Sequence, residues 1–195
     1  MSDHDRLRLA IIIGSTRRGR FGPTAANWLT GHARRRRDLD VDLIDLAETR
    51  LPQTLGDECE PRPRSVAALA PRLAAADAFV VVTPEYNRSF PAPLKTAIDW
   101  YLDEWKAKPV GFLSYGGPSG GLYATEQLRS VFAEVHAVAI RDSVSIPDYW
   151  NEFDADGNWP KPSARLKAAV TTMLDQLLWW ARVLHDTRAV RPYAF

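Results

Sequence analysis

The sequence offers very little thiol or imidazole chemistry. Its 195 residues include one cysteine, Cys59, and four histidines (His4, His32, His136 and His185) that lie far apart along the chain. A single cysteine excludes an internal disulfide framework and a cysteine-based zinc site, and the histidines lack the spacing of metal ligands. We therefore expect no metal centre and a reducing compartment.

The chain also lacks an excess of charge and a long apolar run. Lys and Arg total 25, Asp and Glu total 24, and the formal net charge is +1. This balance gives no bulk electrostatic reason to bind nucleic acid or an anionic membrane. No apolar run approaches the ~18 residues of a membrane span, and the charged start, MSDHDRLR, does not resemble a secretory signal. These absences predict a cytoplasmic protein without a nucleic-acid or membrane partner.

Strand and helix patterns alternate along the chain. Residues 9–13 and 78–82 form continuous apolar runs rich in β-branched side chains, typical of central parallel strands covered on both faces. Weaker strand patterns occupy residues 41–46, 109–113 and 138–145. The intervening segments with helical periodicity are 23–36, 65–76, 93–105, 125–134 and 163–184.

This alternation predicts a doubly wound α/β fold with a parallel sheet. Five strands fit the flavodoxin-like order 2-1-3-4-5, in which the ligand lies beyond the carboxyl ends of strands 1 and 3. The length favours one domain, so residues 1–195 are taken as a single unit. Residues 185–195 are predicted to be a tail that is poorly ordered unless it docks.

The loop after the first strand, GSTRRGRFGP at 14–23, combines two hydroxyls and three arginines at the start of a helix. Unpaired backbone N–H groups, the helix dipole and guanidinium groups all favour an anion there, which indicates a phosphate site. A triphosphate-binding loop would need Lys and Ser or Thr where Arg20 and Phe21 stand. The dinucleotide motif G-x-G-x-x-G fails because residue 16 is Thr.

Two further loops follow strands 3 and 4. The segment TPEYNRSFPAPLK at 83–95 is rigid and aromatic, which suits the edge of a planar heterocycle, although an ordinary turn explains it equally well. The segment SYGGPSGG at 114–121 has glycines that let the backbone approach a ligand closely. The aromatic segment 146–162 is predicted to cover a site or to contact a partner.

One alternative is a serine hydrolase. Residues 117–121, GPSGG, match the pattern G-x-S-x-G around Ser119, and Asp142, Asp148 and His185 follow in the order of a catalytic triad. However, Ser119 stands six residues beyond Leu113, whereas such a serine sits directly at the turn from strand to helix. The phosphate loop is therefore the better guide to function.

Together, GSTRRGRFGP, PEYN and SYGG resemble the NADPH-dependent FMN reductase family, a flavodoxin-like group that includes quinone, chromate and azo-dye reductases. The resemblance covers roughly residues 7–145. It implies an FMN cofactor, NADPH or NADH as co-substrate, and a small-molecule electron acceptor. The residues that it assigns to FMN are Ser15, Arg17, Arg20, Phe21, Gly22, Pro84, Glu85, Tyr86, Asn87, Ser114, Tyr115, Gly116 and Gly117.

The resemblance also implies how the protein works and assembles. Flavin performs the hydride chemistry itself, so the protein needs no catalytic side chain. Relatives are homodimers or homotetramers, often joined through the helix after PEYN, which here carries Trp100, Tyr101 and Trp105. A flavodoxin-like electron carrier would share the FMN site, but such carriers are strongly acidic and this chain is not.

Overall fold

The computed structural model describes residues 6–56, 60–161 and 163–195 of the chain. Cys59 and the first five residues, which entered the sequence argument, lie outside these ranges. No helix within them is long and apolar enough to cross a membrane.

The described residues form one parallel sheet. Its strands are β1 (Leu7–Ile13), β2 (Leu39–Asp45), β3 (Ala78–Pro84), β4 (Pro109–Tyr115), β5 (Val138–Ala139) and β6 (Val144–Ile146). Their order is β2-β1-β3-β4-β5, and β6 also pairs with β4. The predicted flavodoxin-like α/β fold and its strand order are confirmed.

The helices are α1 (Gly22–Ala33), α2 (Leu46–Thr49), α3 (Arg64–Ala75), α4 (Ala92–Asp99), α5 (Leu122–Glu134) and α6 (Ala164–Val190). They cover both faces of the sheet. In β1, Leu9, Ile11 and Ile13 pack with α1 and α6, whereas Ala10 and Ile12 pack with α3 and α4. Burial on both faces explains why this strand reads as a continuous apolar run.

The last predicted strand, 138–145, is two short strands. β5 pairs with the first residues of β4 and β6 with its last. Between them the guanidinium of Arg129 donates to the carbonyls of Ile140 and Arg141, and Gln176 accepts from the N–H of Asp142. Side chains from the flanking helices thus bond to backbone N–H and C=O groups that a continuous strand would pair with its neighbour.

Two helix ends differ from the prediction. α4 ends at Asp99 instead of residue 105, because the chain turns back and the indole of Trp105 donates to the carbonyl of Ile98 at 3.1 Å. α6 continues through residues 185–190, which were predicted to begin a tail. Beyond that helix the hydroxyl of Tyr193 lies 2.9 Å from Nδ1 of His136.

The aromatic residues after α4 do not form the surface that the sequence predicted. Tyr101 is 2% exposed and Trp105 1% exposed, and both belong to the core between the sheet and helices α3 to α5. The indole of Trp100 donates to the carbonyl of Pro52. Tyr101 and Trp105 are therefore not the exposed interface residues that were predicted, and the homo-oligomer stays a prediction.

Candidate active site

Three loops meet at the carboxyl edge of the sheet, beyond β1, β3 and β4. They enclose a cleft of about 380 Å³. The residues that line it are Arg17, Arg18, Gly19, Arg20, Phe21, Pro84, Glu85, Tyr86, Tyr115, Gly116, Gly117, Tyr149 and Trp150. A larger cleft of about 640 Å³ lies beside Lys108 and Arg188, but parallel α/β sheets bind ligands where the strands end.

The loop after β1 places three guanidinium groups at this cleft. Arg17 and Arg18 are exposed, and neither forms an ion pair with the described residues. Arg20 is mostly buried, and its terminal nitrogen pairs with the carboxylate of Asp45 at the end of β2. The Nε of Arg20 is buried with no hydrogen-bond partner in the described part of the chain. A free guanidinium N–H beside two unpaired cations suits a phosphate.

Arg20 and Asp45 also connect the first loop to the sheet edge. One oxygen of Asp45 pairs with Arg20, and the other accepts from the N–H of Ala47 at 3.0 Å, at the start of α2. Arg20 was predicted as a direct cofactor contact. Its ion pair gives it a positioning role as well, because it fixes the loop that carries Arg17.

Gly22 lets the start of α1 approach the sheet. A Cβ at this position would lie 2.8 Å from Cγ2 of Ile13 and 3.2 Å from the hydroxyl of Tyr115. The Tyr115 ring is almost fully buried, and this burial raises the pKa of its hydroxyl well above the ordinary value. Tyr115 is therefore neutral at physiological pH and contributes no charge to the cleft.

The loop after β3 folds back on itself in a tight turn. Tyr86 and Ser89 exchange backbone hydrogen bonds of 2.8 and 3.0 Å. The two residues between them, Asn87 and Arg88, have φ values of +51° and +67°. Asparagine tolerates this left-handed conformation better than most residues. Asn87 is exposed and does not line the cleft, and its backbone forms the turn.

Glu85 fixes this loop against the next helix. Its carboxylate accepts from the backbone N–H of Tyr123 at 3.1 Å, in the first turn of α5, where a negative charge is favoured. Its own N–H donates to the carbonyl of Tyr115 at 3.0 Å. The loops after β3 and β4 are thereby held in one arrangement.

The loop after β4 requires glycine at its end. Gly121 has a φ of +86°, and a Cβ there would lie 2.6 Å from Cβ of Ser114. The Ser114 hydroxyl is buried and donates to the carbonyl of Gly120 at 2.8 Å. Ser114 therefore shapes the loop from behind, while Gly116 and Gly117 present their backbone to the cleft.

Four of the predicted cofactor residues do not line the cleft: Ser15, Gly22 and Ser114 are buried behind its surface, and Asn87 lies in the exposed turn after β3. They hold the three loops in place. The other predicted residues line the cleft. Residue type cannot separate the two roles, since a serine hydroxyl bonds equally well to a phosphate or to a neighbouring loop.

Sequence analysis missed two aromatic residues of the site, Tyr149 and Trp150. They form a single turn of 3₁₀ helix, Tyr149–Glu152, within the segment that was predicted to cover a site or to contact a partner. The Tyr149 ring stacks on Phe21 with centroids 4.3 Å apart. The only signal was the density of aromatic residues in 146–162, and nothing in the sequence placed that segment at this cleft.

The geometry contradicts the serine hydrolase alternative. The Ser119 hydroxyl accepts from the N–H of Gly121 at 3.4 Å, beyond the carboxyl end of β4. His185 lies at the opposite edge, with Nδ1 3.0 Å from Asp186 and Nε2 3.9 Å from Asp77, the residue before β3. A triad needs the nucleophile and the imidazole within hydrogen-bond reach.

The fold and the cleft define a flavodoxin-like protein that combines cationic and aromatic groups at the switch point of its sheet. Comparison with known proteins then gives the family. Residues 7–151 match the model of the NADPH-dependent FMN reductase family, and the chain belongs to that family.

The relatives agree with this assignment. The chain is 33% identical over 150 residues to an NAD(P)H-dependent FMN reductase of Schizosaccharomyces pombe, covering 72% of this chain and 74% of that protein. It is 31% identical over 183 residues to the 2-hydroxy-1,4-benzoquinone reductase of Burkholderia sp, covering 90% and 97%. Among solved structures, the flavoenzyme FerB of Paracoccus denitrificans, an NAD(P)H:(acceptor) oxidoreductase, matches with a TM-score of 0.74 and 26% identity, covering 90% of this chain and 98% of FerB.

Proposed function

We propose that the protein is an FMN-dependent oxidoreductase that takes electrons from NADPH or NADH and passes them to quinones or similar small acceptors. The observation that carries this proposal is the convergence of an arginine-rich loop and two rigid peptide turns on one cleft, in a chain of the NADPH-dependent FMN reductase family. The names of the relatives, an FMN reductase and a benzoquinone reductase, support the same chemistry.

The residues of the cleft fit FMN in two parts. Arg17, Arg18 and the free Nε of Arg20 would hold the phosphate, whose charge at neutral pH is about −1.5 to −2. The backbone of 84–86 and 115–117 would border the ring, because rigid turns can present N–H and C=O groups to a heterocycle edge. Ser15, Gly22, Asn87 and Ser114 would act on FMN through the loops that they hold.

When bound, FMN supplies the hydride chemistry, and the protein contributes binding and orientation. The tasks left to the protein are to hold the phosphate, to fix the ring against two turns and to keep one side accessible to substrates.

The test of this proposal is the reduction of the purified protein. After incubation with excess FMN and desalting, the protein should be yellow and show the absorption bands of bound flavin. Anaerobic addition of NADPH or NADH alone should then bleach those bands before any acceptor is present. A colourless protein would overturn the FMN site. A yellow protein that neither nicotinamide reduces within minutes would be an electron carrier.

We also propose that the protein is a homodimer or homotetramer. Several large apolar side chains are exposed on the single chain, including Leu55, Leu102 and Leu122, and their burial against a second copy of the chain would be favourable. Light scattering should give a mass of two or four chains. A mass of one chain across micromolar dilution would contradict this assembly.

A further inference from the structure

Two adjacent aromatic residues at the cleft have opposite environments. Tyr149 is packed: its ring stacks on Phe21 and meets Tyr115 edge to face at 5.3 Å. Trp150 is 53% exposed, although its side chain has the largest apolar surface of any residue type. Its ring meets Tyr149 at 5.2 Å, and its outer edge lies against Gly117.

The backbone around Trp150 is fixed by several contacts. The N–H of Asp148 donates to the carbonyl of Gly117 at 3.1 Å, which ties the segment to the loop after β4. The carbonyl of Tyr149 accepts from the indole of Trp159 at 3.2 Å, and that of Asn151 accepts from Nζ of Lys161 at 2.6 Å. The backbone on both sides of Trp150 is therefore held by hydrogen bonds, which places the exposed indole at the rim of the cleft.

This placement leaves one face of an indole available next to the backbone of Gly117. The indole N–H forms no hydrogen bond with any residue that the structure describes, so the ring is positioned only by its contacts with Tyr149 and Gly117. An exposed, fixed aromatic ring at the mouth of a cleft binds flat ring systems by stacking, and it discriminates poorly among their substituents. It gives no comparable contact to a compact inorganic ion.

We propose that Trp150 is the platform on which a planar aromatic acceptor stacks as it enters the cleft, which makes the enzyme selective for quinone-like rings over non-planar oxidants. This inference rests on the proposed function. Within that function Trp150 is a specificity-determining residue, because it raises the occupancy of flat acceptors relative to non-planar oxidants.

The test compares Trp150→Ala with Trp179→Ala in the FMN-loaded protein. Trp179 is the matched control, because it is a similarly exposed tryptophan (61%) that does not line the cleft. Binding is measured without turnover by titrating the oxidised protein with 2-naphthoate, a flat aromatic probe, by calorimetry. Turnover is measured with the flat quinone menadione and with ferricyanide, an octahedral one-electron oxidant.

Loss of one stacking contact should weaken binding of 2-naphthoate and raise the KM for menadione by roughly tenfold in Trp150→Ala. In protein fully loaded with FMN, the melting temperature and the KM for ferricyanide should stay within twofold of the parent. Trp150→Phe should recover most of the affinity for both aromatic compounds, and Trp179→Ala should change none of these quantities.

Two results would overturn the inference while leaving the proposed function intact. The first is an unchanged affinity for 2-naphthoate and an unchanged KM for menadione in Trp150→Ala. The second is an equal loss with menadione and ferricyanide, which would assign Trp150 a general structural role. A parent protein that takes up no FMN, or that NADPH does not reduce, would overturn the proposed function itself and the inference with it.

Discussion

The hydroxyl of Ser15 lies 2.8 Å from the hydroxyl of Tyr86, and this hydrogen bond joins the loops that follow β1 and β3. Ser15 is fully buried, whereas Tyr86 lines the cleft. The bond therefore transmits the position of the arginine-rich loop to the turn that borders the proposed ring site. Neither residue has to touch FMN with its hydroxyl for the contact to matter.

Removal of this bond should weaken FMN binding without removing the site. A neutral hydrogen bond contributes about 0.5–1.5 kcal/mol, so we expect Ser15→Ala and Tyr86→Phe each to lower FMN affinity roughly twofold to tenfold. The double variant should lose no more FMN affinity than the single variant with the larger loss, because both substitutions remove the same contact. Fluorescence titration with FMN measures all three. Tyr123→Phe, an exposed tyrosine outside the cleft, is the control. Fully additive losses would contradict the coupling.

The central part of the fold could be predicted because one physical constraint dominates it. β1 and β3 are covered on both faces, so their sequences must be apolar throughout, and the alternation with helices fixes parallel pairing. Parallel pairing places the carboxyl ends of these strands at one edge of the sheet, and the three loops that form the cleft begin there. These predictions depend on patterns within short segments of the sequence.

The remaining errors arise where distant side chains decide the local structure. The strand at 138–145 is interrupted where Arg129 and Gln176 bond to its backbone, and both side chains come from helices outside the strand. Tyr149 reaches the cleft through packing on Phe21, a contact with no periodic signal, and Trp150 packs on Tyr149. Asn87 has a positive φ in the turn after β3, and its contact with the cofactor stays a prediction.

Arg17 should carry a large share of phosphate binding. It is exposed at the cleft and has no ion pair with the described residues, so no carboxylate among them competes with a bound phosphate for the Arg17 guanidinium. Loss of one charge-assisted hydrogen bond costs about 1.5–3 kcal/mol, and Arg17→Ala should lower FMN affinity roughly tenfold to a hundredfold. Raising the salt concentration should reduce this difference, because exposed charges are screened.

Two further variants serve as comparisons for Arg17→Ala. Arg37→Ala removes an exposed arginine beyond the far end of α1 and should leave FMN affinity unchanged. Arg18→Ala tests the neighbour that also lines the cleft. Equal and small losses for Arg17→Ala, Arg18→Ala and Arg37→Ala would identify the loop as a basic surface without a phosphate site.

Gly121→Ala, in the loop after β4, should lower the free energy of unfolding by more than backbone strain alone explains. Gly121 has a φ of +86°, and its new Cβ would lie 2.6 Å from that of Ser114. Gly157 has a similar φ of +79° with open space around it, so Gly157→Ala measures the strain alone, about 1–2 kcal/mol. Because of the extra clash, Gly121→Ala should lower the free energy of unfolding, measured with urea, by about 3 kcal/mol or more. Equal losses would show that the loop relaxes around the added methyl group.

Lys108 should make the stability of the protein rise with pH in the alkaline range. Its side chain is 6% exposed, and Nζ donates to the carbonyls of Leu73 and Ala74 at 2.9 and 2.8 Å, at the end of α3. Burial, assisted by the nearby charge of Arg188, lowers its pKa from 10.5 to about 8, while Asp77 and Glu104 oppose the shift. The charged form is therefore less favourable in the folded protein than in the unfolded chain.

The direction of the effect follows from proton linkage. Between pH 8 and 10.5 the unfolded chain still holds the proton on Lys108, whereas the folded protein has released it, so the free energy of unfolding rises with pH. Each unit of pKa difference corresponds to about 1.4 kcal/mol, which gives a rise of roughly 3 kcal/mol over this window. Lys108→Met lacks the titrating group, and other residues titrate equally in both proteins. The difference in unfolding free energy between parent and Lys108→Met, measured by urea unfolding at pH 7.5, 9 and 10.5, should therefore shift in favour of the parent as pH rises. A difference that stays constant across these three pH values would show that Lys108 keeps its proton in the folded state.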